Sequence, residues 1–483
     1  MLSFRRARGT PSCRSAVLAP LLLLAGAAGA PTLTAQVPPP PAPQPSPPAP
    51  QSAEELQRQL AEERAARIAL EKRLAALEAR EAARNDSDME SQLRGLVSPG
   101  DLQTAPARTV FPGAANPKIG VFADATLQGG NFDSKLGDDS SDRFSLRETE
   151  IDMRLPISPF AEGVLIVPFE DEGDGAFDGS IEEGYANVGL SGLLDNDWTA
   201  TMKLGRFRPI FGRNNQLHTH DWLQVNQPLP VQNLLGDEGI VGDGAMFQIP
   251  LSHSGEAQGE GRTTSLDLSL VNGEILAGEG ALGTLAENAG LSLDSDGPMA
   301  VARLSHFVEL GALSDVEFGV SHLRRLDNDA LLTDAGTRVK PTYYDADITW
   351  RTRDDETGVG SWLVQAEAIH TDVNYEDSGD PDFPVGSQTR DGWWLTLQRQ
   401  ISPTVYLGLL YARSDELGTQ DKDSSVSPYV SWYADEFFRI RWQVDRQNRD
   451  VASGADVNGA WRAIMQFTWN FGVHQPHPYW VNK

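Results

Sequence analysis

The sequence predicts an all-β fold, a 16-stranded antiparallel transmembrane β-barrel over residues 118–483, preceded by a short coiled-coil helix. Three observations carry this expectation. From Lys118 onward, apolar and polar residues alternate at period two in sixteen segments. The connections between these segments are alternately short and long. No run of about 18 apolar residues follows the N-terminus, and the mean hydropathy is −0.35. A multi-span helical membrane protein is therefore excluded, whereas a barrel needs an apolar residue only at every second position.

The N-terminal elements come first. Arg5, Arg6, Arg8 and Arg14 flank an apolar stretch over 16–30, and Leu33-Thr34-Ala35 forms a cleavage site before Gln36. This pattern predicts a secretory signal peptide over 1–35. The single Cys, Cys13, lies inside it, so the mature chain offers no disulfide or thiolate chemistry. The formal charge is −28, and loss of the four leader Arg takes it to −32. Residues 36–50 are a Pro-rich linker, an extended spacer without a core. Within 51–84, Leu56, Leu60, Leu70, Leu74 and Leu77 fit a coiled-coil seam, interrupted by Glu63, Arg67 and Glu81. A single charged helix is the plainer alternative. A polar linker fills 85–117.

The sixteen alternating segments are 118–129, 143–157, 160–170, 181–190, 198–207, 240–251, 263–272, 299–309, 315–325, 337–353, 358–373, 389–402, 403–415, 424–434, 436–449 and 458–472. In the last, Trp461, Ala463, Met465, Phe467, Trp469 and Phe471 oppose Arg462, Gln466, Thr468 and Asn470. In the second, Phe144 and Leu146 are out of phase with the rest of the segment, which predicts a bulge. A soluble sandwich alternates too, so the connections have to decide. Ser158-Pro159, Ser402-Pro403 and Asp435 make tight turns, whereas 130–142, 171–180, 208–239, 273–298 and 374–388 are long. Short turns at one end and long loops at the other describe an outer-membrane barrel. All 11 Trp lie beyond residue 197, as an interfacial girdle requires.

The polar face is assigned to the lumen. Glu148, Glu150, Asp152, Glu162 and Glu183 form an acidic row, and Lys203, Arg206, Arg208, Arg213, Arg439, Arg441 and Arg462 a basic one. If the two rows face each other, they create a transverse field that admits polar solutes; ordinary ion pairing that stiffens the wall is the alternative. The connection 208–239 carries Leu217, Trp222, Leu229, Leu234 and Leu235, which want burial, so it is expected to fold inward and narrow the channel. Within it, His218, His220 and Asp221 offer imidazole and carboxylate ligands to Zn²⁺ or Cu²⁺. Structural hydrogen bonding is the competing role for them.

No resident cofactor is expected. Acidic loop clusters such as Asp138, Asp139 and Asp142, or Glu376, Asp377, Asp380 and Asp382, can hold Ca²⁺ or Mg²⁺ and bridge to lipopolysaccharide phosphates. Residues 105–483 carry 57 acids and 28 bases, which disfavours nucleic acid as a partner. No nucleophile elbow, Walker loop or His-Glu-x-x-His pair is present, so no enzyme is expected.

Three stretches carry a resemblance. They are Phe144-Ser145-Leu146-Arg147-Glu148-Thr149-Glu150-Ile151, Lys203-Leu204-Gly205-Arg206-Phe207-Arg208-Pro209-Ile210-Phe211-Gly212-Arg213-Asn214, and Leu217-His218-Thr219-His220. With the order of leader, helix, sixteen segments and long fifth connection, the chain resembles the phosphate-selective porin O/P family. The last two stretches look closest to an uncharacterised branch labelled zinc-regulated outer-membrane proteins. The resemblance implies a homotrimer in the bacterial outer membrane, with the helix in the periplasm, passing anions through a constriction lined by Arg and Lys. The net charge of −29 over residues 105–483 departs from that and favours cations, unless Arg206, Arg208 and Arg213 prevail locally. The expected function is passive diffusion of small hydrophilic or ionic solutes. The alternatives are uptake of a divalent metal such as zinc, and a structural or adhesive barrel without an open pore.

Overall fold

The computed structural model describes residues 117–472, apart from 137–143, 172–176, 192–198, 237–238, 255–259, 273–280, 289, 291–292, 295–297, 327–330, 334–337, 354–358, 377–384 and 453. The leader, Pro tract, helix and linker expected over 1–116 fall outside the described residues.

Sixteen strands form the wall. They are β1 (Lys118–Gly130), β2 (Phe144–Ser158), β3 (Ala161–Asp171), β4 (Glu183–Gly189), β5 (Thr201–Phe207), β6 (Gly242–Ser254), β7 (Arg262–Asn272) and β8 (Pro298–Glu309), then β9 (Ser314–Arg325), β10 (Arg338–Thr352), β11 (Trp362–Tyr375), β12 (Gly386–Ser402), β13 (Val405–Asp415), β14 (Lys422–Tyr433), β15 (Phe438–Asp450) and β16 (Val457–Gly472). Each pairs antiparallel with its neighbour in sequence, and β16 pairs with β1 from Phe471↔Val121 to Arg462↔Gly130, which closes the ring. Short ladders at Phe177–Gly179, Leu293–Asp294 and Leu331–Thr333 extend the wall at the long-loop end. Among the described residues, closure gives each of the sixteen strands a partner on both sides, as a sheet in hydrocarbon requires.

Burial is inverted relative to a water-soluble sandwich. On the outer face Val320 is 56% exposed and Val444 47%, while on the inner face Arg441 is 1% and Gln466 0% exposed. Period two produces this directly: in β10, Tyr344, Ala346 and Ile348 point out while Asp345, Asp347 and Thr349 point in. Trp362, Trp432 and Trp461 stand near strand ends on the outside, and Arg399 lies 5.1 Å over the Trp362 ring. Trp222 and Trp394 do not join this girdle; both are buried inside. The bulge expected in β2 falls at Arg147, where Asp124 pairs with Glu148 and Ala125 with Leu146. It turns Arg147 inward, onto Asp124 at 2.8 Å.

Among the described residues, two helices lie inside the lumen. The connection from β5 to β6 contains α2 (Leu229–Leu235), and that from β7 to β8 contains α3 (Ala281–Asn288); a shorter α1 (Phe132–Leu136) follows β1. Leu234, Leu235 and Val231 of α2 pack with Leu282 and Ala286 of α3 against inward Met246, Val301, Tyr343 and Val373. Full burial of each such aliphatic side chain is worth about 2–3 kcal/mol. The interior of β5–β11 is therefore apolar where this plug touches it.

Candidate functional site

The loop after β5 organises the interior. Gly212 takes φ +61°, and a Cβ there would collide with the Glu367 carboxylate. The close approach allows Arg213 N and Asn214 N to donate to Glu367 Oε2, both at 3.0 Å, and Gly212 N to donate to Ser321 Oγ at 3.0 Å. The Arg213 side chain reaches Glu317 and Asp347. Asn215 stitches the two arms of the loop together. Its Nδ2 donates to Pro209 O and Ile240 O at 2.9 and 3.1 Å, and its Oδ1 accepts from Ile240 N.

From there the chain crosses to the opposite arc. Arg441 donates to Trp222 O at 2.8 Å and Gln224 O at 2.6 Å, as well as to Ser431 Oγ and Gln466 Oε1. Val225 N donates to Gln443 Oε1 at 2.8 Å, and Val225 O accepts from Arg147 at 3.0 Å. Arg439 donates to His220 O at 3.1 Å. The loop then returns through α2, whose first turn contains Pro230 and whose Leu229 packs on Trp394, Leu410 and Ala412. Leu217, Trp222, Leu229, Leu234 and Leu235 are all buried, inside the barrel rather than over its rim.

Most of the expected lumen residues face inward. Glu148, Glu150 and Asp152 share a face with Glu162 and, one strand further, with Glu183. Lys203 lies 4.5 Å over the inward Tyr185 ring. Arg462 donates to Asp445 at 3.2 Å. Arg206 does not line the lumen. It stands three positions from Lys203, an odd spacing that puts it on the outward face with Leu204, near Asp243 at 3.8 Å. Nor do the acidic and basic rows oppose each other. Ring closure sets β15 and β16 beside β1 and β2, so Arg439, Arg441 and Arg462 share an arc with the acidic row, whereas Arg213 reaches Glu317 and Asp347 of β9 and β10. The opposite arc has its own pairs, Arg303–Asp347 and Arg351–Asp315, which composition alone did not single out. Below the loop, toward the short turns, a cavity of about 360 Å³ opens between the polar Arg213, Asp267, Arg303 and Glu317 and the apolar Ile210 and Phe307.

The histidine constellation also differs from the expected His218, His220 and Asp221. His218 Nδ1 lies 3.2 Å from Glu150 Oε2 and 3.2 Å from Glu182 Oε2. His220 Nδ1 is 3.8 Å from Glu150 Oε2, and its ring stacks on Phe122 at 4.0 Å. Asp221 faces the other nitrogen of His220, at 3.7 Å, and so stands outside the group where the donors converge. Glu182 has no signal in the sequence, because it precedes its strand and only the fold brings it to the loop. Arg208 pairs with it. Burial opposes charge on Glu182, but Arg208 and His218 outweigh it and hold the carboxyl well below its ordinary range. Burial likewise opposes protonation of His218, yet Glu182 and Glu150 raise its imidazole well above the usual value.

No family model matches the chain. It is similar to an uncharacterised protein of Aquifex aeolicus (strain VF5), 33% identical over 101 residues, which make up 21% of this chain and 19% of that protein. The chain thus spans about a fifth of the length of that relative. Among solved structures it is similar to the outer membrane channel DcaP of Acinetobacter baumannii, with TM-score 0.46 and 14% identity over 74% of this chain and 96% of that one. It is also similar to an anion-selective porin from Comamonas acidovorans, with TM-score 0.46 and 10% identity over 74% and 99%.

Proposed function

We propose that this protein is a passive outer-membrane diffusion channel for small hydrophilic or ionic solutes, constricted by the loop between β5 and β6. One observation carries the reading. The closed wall is apolar outside, much of its inner face carries charged and polar side chains, and a cavity with Arg213, Asp267, Arg303 and Glu317 in its lining lies under the loop beside the apolar plug. Water-filled barrels need that inversion, because lipid covers one face and solvent or solute the other. The channel prefers cations, since acids outnumber bases 57 to 28 over residues 105–483. Phosphate is not its substrate on this reading. Assembly as a homotrimer and attachment to lipopolysaccharide through Ca²⁺ or Mg²⁺ belong to the same proposal.

Planar-bilayer recording under a salt gradient tests it. Discrete ohmic steps with a reversal potential displaced toward the cation are expected. Folded protein that inserts but never conducts overturns the channel reading and leaves a structural barrel. A reversal potential displaced toward the anion keeps the channel and overturns its selectivity.

A further inference from the structure

We propose that Glu150, Glu182 and His218, with His220 beside them, bind one divalent first-row transition-metal ion, zinc being the best fit, which clamps the inward loop to the wall. The proposal stands on the geometry of the donors and not on the channel reading.

The donor atoms lie at metal-sharing separations. Ligands about 2.0–2.1 Å from a tetrahedral zinc are roughly 3.4 Å from each other. His218 Nδ1 is 3.2 Å from both Glu150 Oε2 and Glu182 Oε2, and His220 Nδ1 is 3.8 Å from Glu150 Oε2. One ligand atom from each of Glu150, Glu182 and His218 falls within 4.8 Å of the others. Independently, Glu150 Oε2, His218 Nδ1 and His220 Nδ1 are buried and make no hydrogen bond, although Glu150 is only 2% exposed. These atoms face one another as ion pairs without hydrogen bonds, and an ion shared between them would satisfy all of them at once.

The surroundings suit a metal as well. The far nitrogen of each imidazole faces a carboxylate: His218 Nε2 faces Glu183 Oε1 at 3.7 Å, and His220 Nε2 faces Asp221 Oδ2 at 3.7 Å. Carboxylates behind ligating histidines fix the tautomer and raise ligand basicity. Stacking on Phe122 holds the His220 ring, and the His218 ring lies within 12° of parallel to it. Arg208 takes Glu182 Oε1 and leaves Oε2 for the ion. Two carboxylates balance a dication, and imidazole nitrogen selects zinc, copper, nickel or cobalt over calcium and magnesium. The ligands come from β2, from the residue preceding β4, and from the loop, so one ion ties three segments that only the fold brings together.

The test is zinc titration of detergent-folded full-length protein after chelator stripping, with bound metal measured by mass spectrometry. One equivalent per chain is expected, with a higher temperature of heat-modified gel migration that chelator reverses. His218→Ala/His220→Ala should weaken binding by more than the roughly 10–100-fold that loss of an outer partner already causes. The control His306→Ala, on the outer face beside Phe318, should leave binding unchanged. If Glu150→Gln does not fold, His218→Gln/His220→Gln with unchanged circular dichroism serves in its place. Zinc, cobalt and nickel all failing to bind, or binding that survives loss of both loop histidines, overturns the site. Conductance plays no part in this measurement, so a non-conducting barrel that binds one zinc would sink the channel reading alone.

Discussion

The same loop is held in two different ways on the two sides of the barrel. Against β5–β11, α2 and α3 bury Val231, Leu234, Leu235, Leu282 and Ala286 among Met246, Val301, Tyr343 and Val373. Against β14–β2, segment 222–226 is held by hydrogen bonds with Arg441, Gln443, Asp445 and Arg147, beside a smaller apolar contact of Trp222 and Leu223 with Leu217, Leu363 and Tyr429. Apolar packing is non-directional and excludes water; charged hydrogen bonds are directional and can be exchanged for water. The first side is therefore a structural anchor. The second is mainly polar, and on the proposed channel reading it is the side along which hydrated solutes would pass.

Breaking the apolar anchor should have the largest effect. Leu234→Ala removes a fully buried side chain from the plug and should cost about 2–5 kcal/mol. The urea midpoint of the detergent-folded protein reads it. A midpoint equal to that of the parent would mean that α2 is not packed as described. Next comes the polar anchor. Arg441→Ala leaves Trp222 O and Gln224 O without their donor and should cost about 2–3 kcal/mol. On the channel reading it also raises conductance, whereas Leu234→Ala lowers the yield of folded protein. If both variants lose yield equally without altering conductance, the contrast between the two sides fails.

Gly212 marks the point where the loop enters. At φ +61° and against Glu367, any side chain is strained, so Gly212→Ala should cost about 1–2 kcal/mol from the backbone alone. The collision with the carboxylate adds to this. Glu367→Gln should recover part of the loss in the double variant, because a neutral amide yields its place more readily. A thermal unfolding series over the four proteins measures the coupling, and strict additivity would argue against the contact.

The part of this that was legible in the sequence is the part that period two encodes. It encodes faces, so all sixteen strands, the bulge before Glu148 and the inward Glu150, Arg439 and Arg441 could be read. The same rule corrects the basic row, since the odd spacing of Arg206 from Lys203 turns it outward. Period two does not encode which strand faces which across a closed ring. The opposed charge walls could not survive closure, which sets β16 beside β1. Nor does it encode contacts of long separation: Glu367 accepts from the backbone of residues 213 and 214, and Glu182 meets His218, only once the loop is inside. Inward Val164, Ile166, Met246 and Val301 break the polar-lumen pattern. For Met246 and Val301 the reason is plain, because the apolar plug packs against them.

The smallest effect is the sharpest check on facing. Lys203 and Arg206 carry the same charge, three residues apart on one seven-residue strand, yet they point to opposite sides of the wall. Each is a partly exposed cation, so neither Lys203→Gln nor Arg206→Gln should alter stability by more than about 1 kcal/mol. Their electrical effects should differ. Loss of Lys203 removes a positive charge from the lumen and should shift the reversal potential further toward the cation, with the shift shrinking as salt is raised. Loss of Arg206 removes a charge that stands beside Asp243 on the outer face and should leave the reversal potential where it was. Equal shifts from the two substitutions would put Arg206 within reach of the permeating ion and would contradict the register of β5 against β4 and β6.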